Sequence, residues 1–163
     1  MPPAKVGIRR RRKNGWRRCW DSSIHMEPSA IIYGETRDLP TDAIVRLYAA
    51  NEWSSANKPE ALTQALRNSH SLISAWSGDQ LVGLGNAISD GFLVVYYSHL
   101  LVHPDYQGSG IGTEIMGRLM IKYQGFHQHI LVADDRTIEF YRKCGFTHAG
   151  ETQSTWIYSG DDH

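Results

Sequence analysis

Leu100-Leu101-Val102-His103-Pro104-Asp105-Tyr106-Gln107-Gly108-Ser109-Gly110-Ile111-Gly112 says more about the fold of this chain than any other segment. The apolar run that feeds it, Phe92 to Val102, reads as a buried strand stopped by Pro104. A glycine-rich turn follows, and Ile111, Ile115 and Leu119 then open an apolar stripe at helical spacing. Strand, turn and helix in this order aim backbone N–H groups at one point. The first N–H groups of a helix have no internal partner, and the macrodipole adds partial positive charge there. Gly108, Gly110 and Gly112 carry no Cβ to hold an anion away. The pattern reads as a cradle for a pyrophosphate.

Two common cradles are excluded by spacing. A P-loop closes on Gly-Lys-Ser/Thr, and here Gly112-Thr113 lacks the lysine. The dinucleotide fingerprint needs G-x-G-x-x-G, whereas Gly110 and Gly112 are followed by Glu114 and Ile115. The spacing Gln107-x-x-Gly110-x-Gly112 after a strand ending Val102-His103-Pro104 instead resembles the acyl-CoA loop of the GNAT superfamily of N-acyltransferases. A second stretch downstream, Phe140-Tyr141-Arg142-Lys143-Cys144-Gly145-Phe146, resembles that family's Phe-Tyr-x-x-x-Gly-Phe helix ending. Two matches in the right order make the resemblance specific, and it covers about residues 29–158.

Length and composition agree with one domain: 163 residues, 41% of them hydrophobic, suffice for a single core. No stretch reaches the roughly 18 apolar residues of a membrane span, and no apolar segment near residue 1 reads as a secretory signal. Cys19 and Cys144 cannot build a disulfide framework, and no Cys/His spacing suggests zinc. A cytoplasmic, metal-free protein is the expectation. The 17 basic and 17 acidic residues balance, but unevenly along the chain. Eight of the basic ones, from Lys5 to Arg18, fall within residues 1–20, which hold no acid. Residues 1–25 therefore read as a basic, disordered leader, the one segment suited to nucleic acid, and 26–163 as the domain. The body is acidic and would steer a cationic amine.

Along that body, Ala30 to Tyr33 reads as a first strand and Leu39-Pro40-Thr41-Asp42 as turn and cap. Ile44, Val45, Leu47, Tyr48 and Trp53 mark an amphipathic helix, and Pro59 opens a second. Ser71 to Trp76 and Leu81 to Ala87 are strands joined by the Ser77-Gly78-Asp79-Gln80 turn. After the long strand and the glycine-loop helix to about Tyr123, Ile130 to Ala133 reads as a short buried strand. Asp134 or Asp135 is expected to cap the helix that Gly145 ends, and Thr155 to Tyr158 reads as a last strand.

The resemblance implies an α/β (α+β) domain: a mixed, mainly antiparallel sheet flanked by helices, with a V-shaped splay between the fourth and fifth strands. It implies acetyl-CoA as co-substrate. Its pyrophosphate would lie on Gln107, Gly108, Ser109, Gly110, Ile111, Gly112 and Thr113, and its pantetheine arm on the strand backbone of Leu101 and Val102. Asp134 falls where the family often has an Asn that contacts the arm, so a helix cap is an equal reading. Tyr141 falls where many members place the phenol that protonates the leaving thiolate.

Acetyl transfer to an amine needs a deprotonated amine, donors for the thioester oxygen and a proton for the thiolate; holding the two reactants together supplies much of the rate. Some family members carry a Glu in the strand before the loop. This chain has Tyr96, Tyr97, Ser98 and His99, of which His99 is the candidate proton acceptor, directly or through water, with a hydrogen-bonded sheet histidine as the other reading. His103 reads as loop structure, His127 and His129 as no metal site, and Cys144 as a structural thiol. Trp53, Trp76, Trp156 and Tyr158 suit an apolar acceptor pocket or the core. The implied activity is N-acetylation of a primary amine, a small one favoured. A protein lysine acceptor and a non-catalytic acyl-CoA-sensing or protein-binding module are the alternatives, and a homodimer is left open.

Overall fold

A computed structural model describes residues 30–155 and 157; the leader 1–25, Cys19, Trp156 and Tyr158 lie outside the described residues. Among these residues five strands, β1 (Ile31–Gly34), β2 (Ser71–Ser77), β3 (Gln80–Ser89), β4 (Val94–Val102) and β5 (Gln128–Leu131), form one sheet in that order. Neighbours are antiparallel except β4 and β5, which run parallel. The crossover between those two contains the glycine loop and α3 (Ile111–Lys122). Helices α1 (Thr41–Ala50) and α2 (Pro59–Arg67) cover one face of the sheet; α3 and α4 (Ile138–Lys143) cover the other.

Each helix buries the stripe its sequence prescribes. Ala43, Ile44, Leu47 and Tyr48 of α1 and Leu62 and Leu66 of α2 meet Leu72, Leu84 and Leu101 of the sheet. Ile111, Ile115, Met116 and Leu119 of α3 meet Ile73, Ala75, Val82 and Val95. Strand β3 lies between the two layers, so Leu81 to Ala87 is buried without alternation. Gly83 and Gly85 let α3 settle close: a β-carbon on Gly85 would lie 2.5 Å from Ile115 Cγ2, and one on Gly83 2.8 Å from Ile111 Cγ2.

Four expectations need correction. The long strand begins at Val94 rather than Phe92. The Asp90 carboxylate accepts the N–H groups of Phe92, Leu93 and Val94 at 2.9, 2.9 and 3.1 Å, which holds the chain in a turn. Phe92 and Leu93 are accordingly exposed, and the backbone bonds that fix Asp90 also pull its carboxyl below the usual range. The Ile130–Ala133 strand shifts to Gln128–Leu131 and is half-buried, because only β4 pairs with it among the described residues. The residue preceding α4 is Thr137, without a side-chain cap, rather than Asp134 or Asp135. Of the expected last strand, Thr155 and Ile157 belong to no strand.

The end of α4 is as the sequence implies. Gly145 takes φ +95°, Gly145 N–H donates to Arg142 at 3.0 Å and Phe146 N–H to Tyr141 at 3.0 Å, the two bonds of a Schellman motif.

Strand β4 contains the irregularity that shapes the site. Asn86 of β3 stands opposite His99, but Ala87 stands opposite Tyr97, so Ser98 is an extra, bulged residue. Before the bulge Val95 and Tyr97 face the α3 layer. After it Leu101 faces the α1 layer, and Leu100 and Val102 face α3. One inserted residue has exchanged the two faces of the strand. The pairing of β4 with β5 ends at the same place, with Tyr97 opposite Leu131.

Candidate active site

The turn from β4 to α3 has the geometry its glycines suggest. Gly108 and Gly110 adopt φ +77° and +88°, the left-handed region that glycine enters without strain. Gly110 is the N-terminal flanking residue of α3, and the first helical bond runs from Glu114 N–H to the Gly110 carbonyl at 3.0 Å. The N–H groups of Ile111, Gly112 and Thr113 thus have no partner within the helix. The buried side chain of Ile111 anchors this end against β3, while Gln107 to Gly110 are exposed. No atom comes within 4 Å of a β-carbon built on Gly108 or Gly110, so open space stands beside both. Such space next to free helix N–H groups fits a pyrophosphate.

Beside this turn the strands part. His103 N–H donates to the Val82 carbonyl at 2.8 Å, so by antiparallel alternation the polar groups of Leu101 also face β3. Those of Leu100 and Val102 face the opening instead. Of the two residues expected to offer backbone, Val102 turns its polar groups to the opening and Leu101 turns its own to β3. The Val102 carbonyl already accepts the Gln107 side-chain amide at 3.0 Å, which ties the loop to the strand edge.

His99 lies on the α1 side. Its Nδ1 stands 2.7 Å from the Tyr48 hydroxyl, and its ring meets Trp53 and Tyr48 edge to face at 5.3 and 5.6 Å. Burial lowers its pKa to about 4, so the imidazole is neutral at pH 7. Burial likewise pushes the Tyr48 phenol up. Trp53 is aimed by an unusual helix end: Glu52 adopts φ +60°, with Glu52 N–H on Ala49 and Trp53 N–H on Tyr48. This is the Schellman arrangement with Glu where glycine is usual, at a cost of about 1 kcal/mol.

Tyr141 sits on α4 between the rings of Phe140 and Phe146, at 5.0 and 6.2 Å. Burial pushes its phenol up to about 12, with Cys144 and Tyr96 adding to the rise, so it keeps its proton over the whole neutral range. Burial raises the Cys144 thiol as well, the opposite of what a nucleophile needs. Asp134 shapes the turn into α4: its carboxylate accepts Arg136 N–H at 2.8 Å and the Arg136 guanidinium at 3.0 and 3.1 Å.

His129, His103 and Trp76 have local partners. His129 Nδ1 meets the Tyr97 hydroxyl at 2.8 Å, and His103 Nδ1 accepts Asp105 N–H at 3.3 Å. Trp76 donates to Ser74 Oγ at 3.0 Å and packs on the α1-side core. Among the described residues no group of three or more His, Cys, Asp and Glu stands close enough to hold a metal ion, and no helix is long and apolar enough to cross a membrane.

Sequence reasoning missed Asn86, the partner of the bulge, and the Gly83–Gly85 pair that seats α3. The glycines were visible as an alternating pair within an apolar strand, a known sign of close approach. Asn86 had no signal beyond being a lone amide in that strand.

Residues 35–156 match the family model described as an acetyltransferase (GNAT) domain. An uncharacterized N-acetyltransferase of Prochlorococcus marinus, ycf52-like, is 28% identical over 123 residues, covering 71% of this chain and 67% of that protein. A histone acetyltransferase of Glycine max, TAP1, is 32% identical over 98 residues; these cover 52% of this chain and 42% of the soybean protein. A GNAT-family acetyltransferase structure from Streptococcus pneumoniae superposes with a TM-score of 0.70 at 30% identity, covering 79% of this chain and 98% of that one.

Proposed function

This chain belongs to the GNAT acetyltransferase family, and from that premise we propose that it transfers an acetyl group from acetyl-CoA directly to a small primary amine. The observation that carries the reading is the open, glycine-walled N-terminus of α3 at the mouth of the β4–β5 splay. Acetyl-CoA, when bound, supplies an acetyl group already activated as a thioester.

The chain's own groups divide the work. The N–H groups of Ile111, Gly112 and Thr113 hold the pyrophosphate, and Gln107 fixes the loop that presents them. Leu100 and Val102 offer strand backbone to the pantetheine arm. The Tyr141 phenol keeps its proton until a thiolate needs it. His99, with a pKa of about 4, is too weak a base to strip an ammonium ion. Its role is to accept a hydrogen bond at Nε2 from an amine that has lost its proton through water. That role requires the tautomer in which Nδ1–H donates to Tyr48.

Calorimetric titration of acetyl-CoA into the wild-type protein and Gly110→Glu tests the cradle. Binding in the wild type and none in the variant is the expected result, since the new side chain brings both bulk and charge to the phosphate position. Undiminished affinity in a folded variant would refute the assignment. A panel of amines read by thiol release then tests the chemistry. Turnover confined to lysine peptides would move the acceptor to proteins, the activity named for the soybean relative. Binding without thiol release from any amine would make the domain an acyl-CoA-binding module.

A further inference from the structure

Asn86 is 4% exposed and uses its side chain to satisfy the bulge opposite it. Its Oδ1 accepts the His99 N–H at 3.0 Å and the Ser98 hydroxyl at 3.0 Å; its Nδ2 donates to Ser69 Oγ at 2.7 Å. A backbone N–H can only donate, so the orientation of the amide is not ambiguous. Ser69, 1% exposed, passes its own hydroxyl proton to the Ala65 carbonyl of α2 at 3.2 Å, and its carbonyl accepts Arg37 at 2.6 Å. A buried line of polar groups thereby runs from α2 through β3 to the point where β4 leaves β5.

We propose that Asn86 is a positioning residue for acetyl transfer: its side-chain carbonyl holds the Ser98 bulge, and the bulge keeps the Leu100–Val102 edge open and His99 on the α1 side. The inference rests on the acetyl-CoA reading given above. The physical reason is a count of acceptors. A bulge leaves an extra residue outside the ladder, and its donors need an acceptor that the partner strand's backbone does not supply. Buried donors without an acceptor are costly, and restoring regular alternation is the direct way to relieve them. That restoration would turn His99 and Leu101 to the opposite face and redirect the polar groups of Leu100 and Val102. The fully satisfied network therefore selects one strand geometry over its neighbour in register.

The test uses the whole protein and two probes: acetyl-CoA, and adenosine diphosphate, which carries the pyrophosphate without the pantetheine arm. Asn86→Leu keeps the branching at Cγ and removes the acceptor; Asn86→Asp keeps the acceptor. The expected result for Asn86→Leu is an acetyl-CoA affinity weaker by about tenfold or more, with the diphosphate affinity changed by less than about twofold. The ring-proton resonances of His99, which sense the Trp53 indole beside them, should move in Asn86→Leu and stay near wild-type positions in Asn86→Asp. Asn86→Asp should recover most of the acetyl-CoA affinity. A folded Asn86→Leu with wild-type acetyl-CoA affinity, or with equal losses for both probes, overturns the proposal. Should that variant not fold, Asn86→Ser, too short to reach both donors, carries the same comparison. A wild-type protein that binds no acetyl-CoA sinks the functional reading instead. The bulge claim is then still decided by the His99 resonances, and unchanged resonances in the variant without the acceptor overturn it.

Discussion

The ring of Phe140 lies against the bare α-carbon of Gly112: a β-carbon there would come within 3.4 Å of Phe140 Cζ and 3.6 Å of Val102 Cγ2. The two sequence signatures of this chain, the glycine loop and the Phe-Tyr helix ending, thus touch each other. Gly112 serves the packing of α4 as well as the openness of the cradle, and Tyr141 is placed by its neighbour's contact with the loop.

A single methyl group is at the limit of that space, and a branched side chain exceeds it. Gly112→Val is expected to displace Phe140 and with it Tyr141, at a cost of about 1–3 kcal/mol for overpacking. Denaturant melts measure the cost. Unchanged stability would mean that α4 moves freely and that Phe140 does not fix Tyr141.

Gly85→Ala is expected to destabilise the fold more sharply than its size suggests, again by about 1–3 kcal/mol, because the new methyl would meet Ile115 Cγ2 at 2.5 Å. The helix would have to move off the sheet, carrying Ile111 and the cradle with it. A lowered melting temperature together with weakened acetyl-CoA binding is the expected pair of results. Loss of stability with unaltered binding would separate the seat of α3 from the cradle.

The pH dependence of stability should include a contribution from His99. Its folded pKa, about 4, lies below its ordinary 6.5, so the unfolded chain binds more protons between those values. The stability due to the neutral imidazole is complete above pH 6.5 and is lost as the pH falls toward 4. Between pH 6.5 and 5 the loss from this one group is at most about 2 kcal/mol. Urea melts of His99→Gln at the two pH values should show a correspondingly smaller decline than the wild type. An equal decline, or an NMR titration of His99 near 6.5, would contradict the buried neutral assignment.

Tyr141→Phe keeps the ring contacts with Phe140 and Phe146 and removes only the hydroxyl. If the phenol protonates the thiolate, single-turnover transfer should slow by about 10²–10⁴-fold with little change in acetyl-CoA affinity. With the phenol at about 12, the wild-type rate should show no loss from this group up to pH 10. A wild-type single-turnover rate in the variant would reduce Tyr141 to a packing residue.

The order of the elements as far as α4, the glycine-loop turn and the end of α4 were legible in the sequence, because each is a local matter. Gly108, Gly110 and Gly145 take left-handed conformations that glycine alone enters freely, and Pro59 opens α2 where its missing N–H costs nothing. The apolar stripes of α1 and α3 likewise repeat at a period that only a helix satisfies. Strand β4 is the contrary case. Val94 to Val102 has no alternation of polar and apolar residues from which a face could be read, since β4 is covered on both sides. Which way His99 points therefore depends on a bulge at Ser98, and the bulge depends on an amide in β3 that reaches across the sheet to it. The start of β4 departs from the apolar pattern for a related reason: the Asp90 carboxylate takes three N–H groups that an extended strand would have used elsewhere. Local propensity is carried by the residues themselves. The face a side chain presents in β4 is settled when a hydrogen-bond partner from another strand arrives, and folding of the whole sheet is what brings it there.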